Sequence, residues 1–122
     1  MEWTISYQPE QRVVIIQTQG IADETRTLEM AKSISKSMQE HKSTRCLIDH
    51  SAISSVTGDV IKVYNRPKIL RGIGVPRNIK IAEIVLPDHR AHFGFFETVC
   101  RNNGFDLLIF NDRESAIDWL TK

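Results

Sequence analysis

The segment CLIDHSAISSVTGDVI, residues 46–61, decides the fold of this chain. Its first three residues form a short apolar run without alternation, which is typical of a central strand covered on both faces. Asp49 and several hydroxyl residues follow, and apolar residues resume after Gly58. Small polar residues before an apolar stretch are common helix caps. We therefore predict a strand, a turn and the start of a helix, in that order.

The N-terminal part of the chain predicts a β-hairpin followed by a helix. Apolar residues alternate with polar ones over residues 3–7, and an apolar run follows over residues 13–16. Two strands with a turn at Pro9 fit this pattern. We expect Gly20 to end the second strand. Asp23 is a typical cap residue, and the apolar spacing after it predicts a helix that ends near His41.

After the opening segment, every predicted strand is followed by a helix. The helix that begins near Gly58 has to end or kink near Asn65 and can restart at Pro67, because proline has no N–H donor. Residues 71–76 are then a loop. The remaining predicted elements are a strand over residues 79–86, a helix that starts at Pro87 and stops at Gly104, a strand over residues 107–110, and a last helix capped by Asn111 or Asp112.

This order, ββαβαβαβα, predicts a single α/β domain over residues 1–122. We expect a mostly parallel sheet with helices on its faces and one antiparallel edge strand contributed by the N-terminal hairpin. In such sheets, ligands bind beyond the carboxyl ends of the strands, where the helices begin. Residues 49–59, 87–92 and 111–113 should therefore lie at one edge.

Composition favours a folded cytoplasmic protein. Hydrophobic residues make up 41% and charged residues 25% of the 122 residues, as in globular domains. The chain has no apolar run of about 18 residues, so we expect no transmembrane segment. It begins without an apolar signal segment, so we expect no secretion. Cys46 and Cys100 lie in apolar surroundings, and we interpret them as buried free thiols of a reducing compartment.

Basic residues are concentrated in one segment, although the net charge is only +1. Residues 60–82 contain no acid, and the ten basic residues elsewhere face all fifteen acids, so the remainder has a net charge of −5. The basic residues of the segment are Lys62, Arg66, Lys68, Arg71, Arg77 and Lys80. They form either a solvated helix face or a patch for an anionic ligand, an acidic partner or a lipid headgroup. We expect no nucleic-acid binding, because Tyr64 is the only aromatic residue in the segment.

Polar residues near two predicted helix starts form the candidate site. Hydroxyl residues before the second helix can act as caps, hold an anion at the helix N-terminus, or carry a phosphate. The histidines at the third helix have no spacing typical of a metal motif, so we predict neither a metal nor a cofactor. The candidate ligand or partner surface comprises Ser54, Ser55, Thr57, Gly58, Tyr64, Arg66, Arg71, His89, Arg90 and His92.

The element order, residues 46–49 at the third strand and the closing FNDRESAIDWL (residues 110–120) together resemble the STAS domain family. The likeness is greatest to its stand-alone SpoIIAA-like members, whose fold is also similar to CRAL-TRIO lipid carriers. It covers nearly the whole chain. The resemblance implies a regulator without enzymatic activity, in which a partner kinase phosphorylates a Ser or Thr in an Asp-Ser-Ser/Thr-Gly motif.

The local sequence departs from that motif. Thr57 and Gly58 match its end, but Val56 stands where the phosphorylated hydroxyl is expected, and no Asp precedes it. Thr57 is therefore the candidate phosphorylation site.

Three functions follow from these observations. We predict a non-enzymatic regulatory or protein-interaction module with a protein partner of unknown identity. The alternative is a binder of a small anionic metabolite or lipid headgroup at the helix starts, in a cavity lined by Tyr64, His89, His92 and Phe93. An enzyme built from Asp49, His50 and His89 is less favoured, because the chain has no Gly-x-Ser-x-Gly motif.

Three phenylalanines fall within four positions, at 93, 95 and 96. A single buried helix face cannot cover all of them. We expect Phe95 to be partly exposed or to lie at a homodimer contact.

Overall fold

The computed structural model describes residues 1–56, 60–72, 74–75 and 78–122, with residues 60, 61 and 64 described through their backbone alone. The predicted order ββαβαβαβα is confirmed. The elements are β1 (Glu2–Gln8), β2 (Val13–Ala22), α1 (Glu24–His41), β3 (Arg45–Val56), α2 (Val60–Gly72), β4 (Lys80–Ile84), α3 (Arg90–Asn102), β5 (Asp106–Phe110) and α4 (Arg113–Leu120). A short 3₁₀ turn, Pro87–His89, precedes α3.

The five strands form one sheet in the order β1-β2-β3-β4-β5. β1 is antiparallel to β2, and all other neighbours are parallel. The antiparallel edge strand predicted from the N-terminal hairpin is therefore present. Parallel neighbours need a long crossover, which α1, α2 and α3 provide. The strand that begins the opening segment, β3, lies in the middle of the sheet.

The hairpin turn is stabilised by its own side chains and backbone. The Gln8 side-chain oxygen accepts a hydrogen bond from the Gln11 amide at 2.7 Å. Arg12 adopts a left-handed φ of 58°, and the chain then enters β2. The register pairs Gln8 with Val13 and Glu2 with Gln19, so the alternating residues of β1 present Trp3, Ile5 and Tyr7 to the larger core.

The two faces of the sheet are covered unequally. α1, α2 and α3 cover one face, where the larger core cluster includes Val14, Ile16, Cys46, Ile48 and Ile81. α4 alone covers β3, β4 and β5 on the other face, with a smaller cluster formed by Val13, Leu47, Ala82, Ile84, Ala116 and Leu120. Successive strand residues point to opposite faces. Cys46 and Leu47 are both 0% exposed, which explains the unalternating apolar run of β3.

Two predicted strand ends were wrong. β2 continues past Gly20 to Ala22, and β3 continues past Asp49 to Val56. The two extensions pair with each other, since Gly20 lies opposite Ile53 and Ala22 opposite Val56. The pairing is irregular near Gly20, where a φ of 90° is a conformation that suits glycine. Backbone hydrogen bonds between the strands thus override the turn preference of the hydroxyl residues in β3.

The predicted end of the second helix near Asn65 was wrong. α2 runs continuously from Val60 to Gly72 with Pro67 inside it, so it does not end near Asn65, and Arg71 belongs to the helix and not to a loop. A proline inside a helix removes one backbone hydrogen bond. Pro67 is fully buried, and its ring packing offsets that loss.

The remaining boundaries follow the predictions closely. Asp23 caps α1 by accepting from the Arg26 amide at 2.9 Å, and Asp112, not Asn111, caps α4 by accepting from the Ser115 amide at 2.8 Å. Gly104 follows α3 with a φ of 87°. Both cysteines are free and buried, and Phe95 is half-buried, as predicted. Within residues 1–56, 60–72, 74–75 and 78–122, no helix combines the length and apolar character needed to cross a membrane.

Leu47→Ala should lower the free energy of unfolding by about 2–5 kcal/mol, because it leaves a cavity in the fully buried middle strand. Leu108→Ala is the matched control on edge strand β5, where the side chain is half-buried, and it should cost less. Urea unfolding of both variants measures the difference. Equal losses would contradict the central position of β3.

Candidate functional site

The carboxyl ends of the parallel strands meet at one edge of the sheet, and polar contacts join the loops there. The Arg90 guanidinium at the start of α3 donates to the Asn111 side-chain oxygen at 3.1 Å. Arg113 at the start of α4 lies 3.6 Å from the Asp49 carboxylate on β3. α2 and α3 also pack against each other. The predicted gathering of helix starts at one edge is confirmed for α3 and α4.

A chain of buried polar side chains crosses three neighbouring strands just below this edge. The Thr18 hydroxyl on β2 lies 2.7 Å from His50 Nδ1 on β3, and His50 Nε2 lies 3.1 Å from Glu83 Oε1 on β4. All three are 4% exposed or less. They occupy the face covered by α1, α2 and α3, in line with Ile16, Ile48 and Ile81. The second carboxylate oxygen of Glu83, Oε2, has no partner among the described residues.

Arg66 enters the same region from α2. Its side chain is buried, with its guanidinium paired to the Glu24 carboxylate in the first turn of α1. The guanidinium carbon also lies 5.3 Å from the centre of the Phe96 ring. The Arg66 Nε donor has no acceptor within the described part of the chain. We name Thr18, His50, Arg66, Glu83 and His92 the polar core cluster.

Two small cavities adjoin the polar core cluster. One, of about 40 Å³, is lined by His50, His92 and Phe93. The other, of about 70 Å³, lies between α1, α2 and the sheet and is lined mostly by apolar side chains. Thr27, Met30, Arg66, Glu83 and Phe96 line both. Arg66 and Glu83 therefore contribute polar side chains to the lining of both cavities.

Aromatic packing positions the histidine rings of this region, and burial changes the pKa of His92. Phe93 stacks on His50 with ring centres 4.8 Å apart, and His92 meets the edge of Phe93 at 5.0 Å. Burial lowers the pKa of His92, and the nearby Arg66 cation lowers it further, with smaller contributions from His50 and His89; Glu83 opposes these effects. His92 is therefore neutral near pH 7.

Burial raises the pKa of the two cysteine thiols, whereas it lowers the pKa of His92. It raises the pKa of Cys46 far above its usual range and the pKa of Cys100 to about 12, with the Glu83 carboxylate adding to both. A thiol that stays protonated is a poor nucleophile. Both cysteines are therefore structural core residues.

The hydroxyl–imidazole–carboxylate chain resembles the arrangement that activates a nucleophile in hydrolases. Thr18 is only 2% exposed, however, and no substrate can reach its hydroxyl in the folded chain. The proposed grouping of Asp49, His50 and His89 is not assembled, because Asp49 and His50 are consecutive strand residues on opposite faces. The geometry favours binding over covalent chemistry.

Several predicted site residues lie elsewhere than expected. Ser54 and Ser55 are exposed residues of β3 and not helix caps, and the Ser54 hydroxyl donates to the Gly20 carbonyl at 3.1 Å. Arg71 is exposed on α2 and contacts Asn103 at 3.5 Å. Thr57 and Gly58 lie outside the described residues, as does the side chain of Tyr64, and their roles stay predictions.

Around α3, part of the predicted cavity lining lies together. His92 and Phe93 line the smaller cavity with Arg66, whereas His89 is not among its described lining residues, and ligand binding there stays a prediction. His89 is half-buried, and its Nδ1 has no partner among the described residues. Arg90 is exposed at the edge. The smaller cavity thus includes Arg66 and His92 of the predicted surface in its lining, but not Ser54 or Ser55.

Sequence reasoning missed Thr18, Glu24 and Glu83. The signal for Glu83 was present, since it falls in the alternating series with Ile79 and Ile81, which both face the core. A carboxylate at such a position is almost never buried without a partner. The partner, His50, is in the opening segment but is contributed by a different strand.

A larger concavity, about 440 Å³, shares no lining residue with the two small cavities, although Thr18 of the polar core cluster contributes to its wall. It is an open groove on the sheet face beside β1 and β2, which α4 does not cover. Its lining is dominated by exposed polar side chains such as Thr4, Gln17, Gln19 and Ser51. Water satisfies such groups, so we place the candidate site at the smaller, buried cavities.

The lowered pKa of His92 predicts a pH dependence of stability. The unfolded chain takes up the proton first, so the free energy of unfolding should fall as the pH drops through about 6.5, the usual pKa of histidine. His92→Gln should flatten this dependence, whereas His41→Gln, an exposed histidine on α1, should not. Urea unfolding between about pH 5 and pH 8 tests this; parallel curves for His92→Gln and the unmodified chain would contradict it.

Comparison with known proteins reveals similarity at the level of structure alone. No protein-family model matches the chain, and no curated protein matches its sequence. A crystal structure of a DUF3478-family protein with a SpoIIAA-like fold, from Shewanella loihica PV-4, is similar, with a TM-score of 0.59 at 15% identity over 98% of this chain and 92% of that one.

A second solved structure has the same fold. It is the anti-sigma factor antagonist SpoIIAA in its unphosphorylated form, with a TM-score of 0.53 at 18% identity over 97% of this chain and 96% of that one. The resemblance predicted from the sequence is confirmed for the fold: this chain has a SpoIIAA-like, STAS-type α/β fold.

Proposed function

We propose that this chain is a non-enzymatic regulatory module that binds an acidic protein partner through the exposed basic face of α2. The observation that carries the proposal is a concentration of cations on one helix of a SpoIIAA-like fold. Lys62, Lys68 and Arg71 are exposed on α2, and no acid occurs over residues 60–82. Such a surface attracts acidic partners and speeds their association.

The exposed apolar area supports docking at the same helix. Ile69 is 39% exposed and lies next to Lys68 on α2. Protein interfaces combine an apolar centre with a polar rim. The exposed isoleucine provides an apolar centre, and the lysines and the arginine around it provide a polar rim.

Binding of a small anion or lipid headgroup at the helix starts ranks second. Arg66, a cation of the candidate surface, is already paired with Glu24. Arg71 and Arg90 already contact the side-chain oxygens of Asn103 and Asn111. These contacts favour a protein partner over an anion bound by Arg66. Phosphorylation of Thr57 and homodimer formation through Phe95 stay predictions of the same regulatory function.

Charge reversal on α2 tests the docking proposal. Lys68→Glu/Arg71→Glu should reduce the affinity for the partner by about tenfold or more, since each 1.4 kcal/mol corresponds to a factor of ten. Lys32→Glu/Lys36→Glu changes the net charge equally at exposed positions of α1 and should bind like the unmodified chain. Partners are first identified by affinity capture, and their dissociation constants are then measured with purified protein.

Added salt should weaken the interaction of the unmodified chain and have less effect on the α2 variant. A partner captured equally by both double variants would show that α2 is not the docking surface. Failure to enrich any protein above the tag alone would contradict the interaction function itself.

A further inference from the structure

We propose that the space between α1, α2 and the sheet binds a small neutral molecule with a hydroxyl or amide head and a short aliphatic body. The inference goes beyond protein docking and does not depend on it. It rests on two buried polar atoms without protein partners, Arg66 Nε and Glu83 Oε2, and on the two cavities that both side chains line.

The two atoms are complementary in hydrogen bonding. Arg66 Nε is a donor without an acceptor, and Glu83 Oε2 is an acceptor without a donor, within the described part of the chain. Arg66 is 8% and Glu83 3% exposed. Leaving such groups unpaired is costly, and native structures rarely do so. A hydroxyl or a primary amide can accept from Arg66 and donate to Glu83 at the same time.

The opposite charges of Arg66 and Glu83 make a neutral head preferable to an ion. Arg66 is paired with Glu24, and both Arg66 and Glu83 line both cavities, so a carboxylate head would lie near the Glu83 carboxylate and an ammonium head near the Arg66 cation. The lowered pKa of His92 keeps that side chain uncharged near neutral pH. A carboxylate or ammonium ligand would therefore lose its hydration and lie near a like charge.

The volume and lining of the apolar cavity determine the size and polarity of the ligand body that can fit. Its 70 Å³ is lined by side chains that include Met30, Ile34, Leu70 and Phe96, and a dry apolar cavity of about 150 Å³ holds benzene. The available space therefore suits an aliphatic chain of roughly three or four carbon atoms. Water alone could occupy the cavity of about 40 Å³, but most of the lining of the 70 Å³ cavity offers it no hydrogen bonds.

Three probes with the same body and different heads test the inference: butyramide, butyrate and butylammonium. Amide NMR spectra of the full chain are recorded during titration up to the order of 10 mM, which suits a millimolar dissociation constant. Butyramide should give saturable shifts confined to the elements that line the two cavities, including α1, α2 and β4. Butyrate and butylammonium should bind at least about tenfold more weakly.

Matched variants locate the site. Ala31 lines the apolar cavity, so Ala31→Leu should fill it and abolish the butyramide shifts. Ala91→Leu makes the same change at an exposed position of α3 and should leave them intact. If Ala31→Leu does not fold, Arg66→Met removes the Nε donor and should weaken butyramide binding about tenfold, whereas Glu24→Gln keeps that donor and should not.

Equal shifts with all three probes, or shifts that do not saturate, would overturn the proposal and assign the cavities to solvent alone. Equal binding by Ala31→Leu and Ala91→Leu, or by Arg66→Met and Glu24→Gln, would also overturn it. No protein partner takes part in this experiment, so its failure leaves the docking proposal untouched.

Discussion

The structure depends on the requirement that β3 be covered on both faces. Cys46 and Leu47 are adjacent, point in opposite directions and are completely buried, so helices have to lie on both sides of the middle strand. α1, α2 and α3 supply one layer and α4 the other. Because parallel strands need crossovers, this requirement also directs the helix starts to the carboxyl edge of the sheet.

The unequal helix layers on the two faces of the sheet determine where a buried polar cluster and a cavity can form. Three helices over one face enclose enough space for a buried polar cluster beside an apolar cavity, whereas α4 covers only part of the other face. Burying Arg66, His50 and Glu83 costs desolvation energy that well-packed apolar side chains would avoid. The cluster therefore stabilises the fold less than apolar side chains of similar volume would.

The surface of α2 and the cluster beneath it are connected through one side chain. Arg66 belongs to α2, reaches under it to Glu24 and lines both cavities. Neighbouring residues Lys68 and Ile69 face outward from the same helix. α2 thus separates the proposed docking surface from the proposed internal site. Pro67 is held between them by packing that local sequence preferences do not reveal.

The sequence alone determined the element order, the central position of residues 46–48 and the cap at Asp23, because these depend on local periodicity and on hydrogen bonds between near neighbours. Only the tertiary structure decided the length of β2 and β3, the continuity of α2 through Pro67 and the pairing of Thr18, His50 and Glu83. Those features arise from contacts between residues far apart in the chain, where strand pairing and burial outweigh local preference. A sequence read one segment at a time does not contain that information.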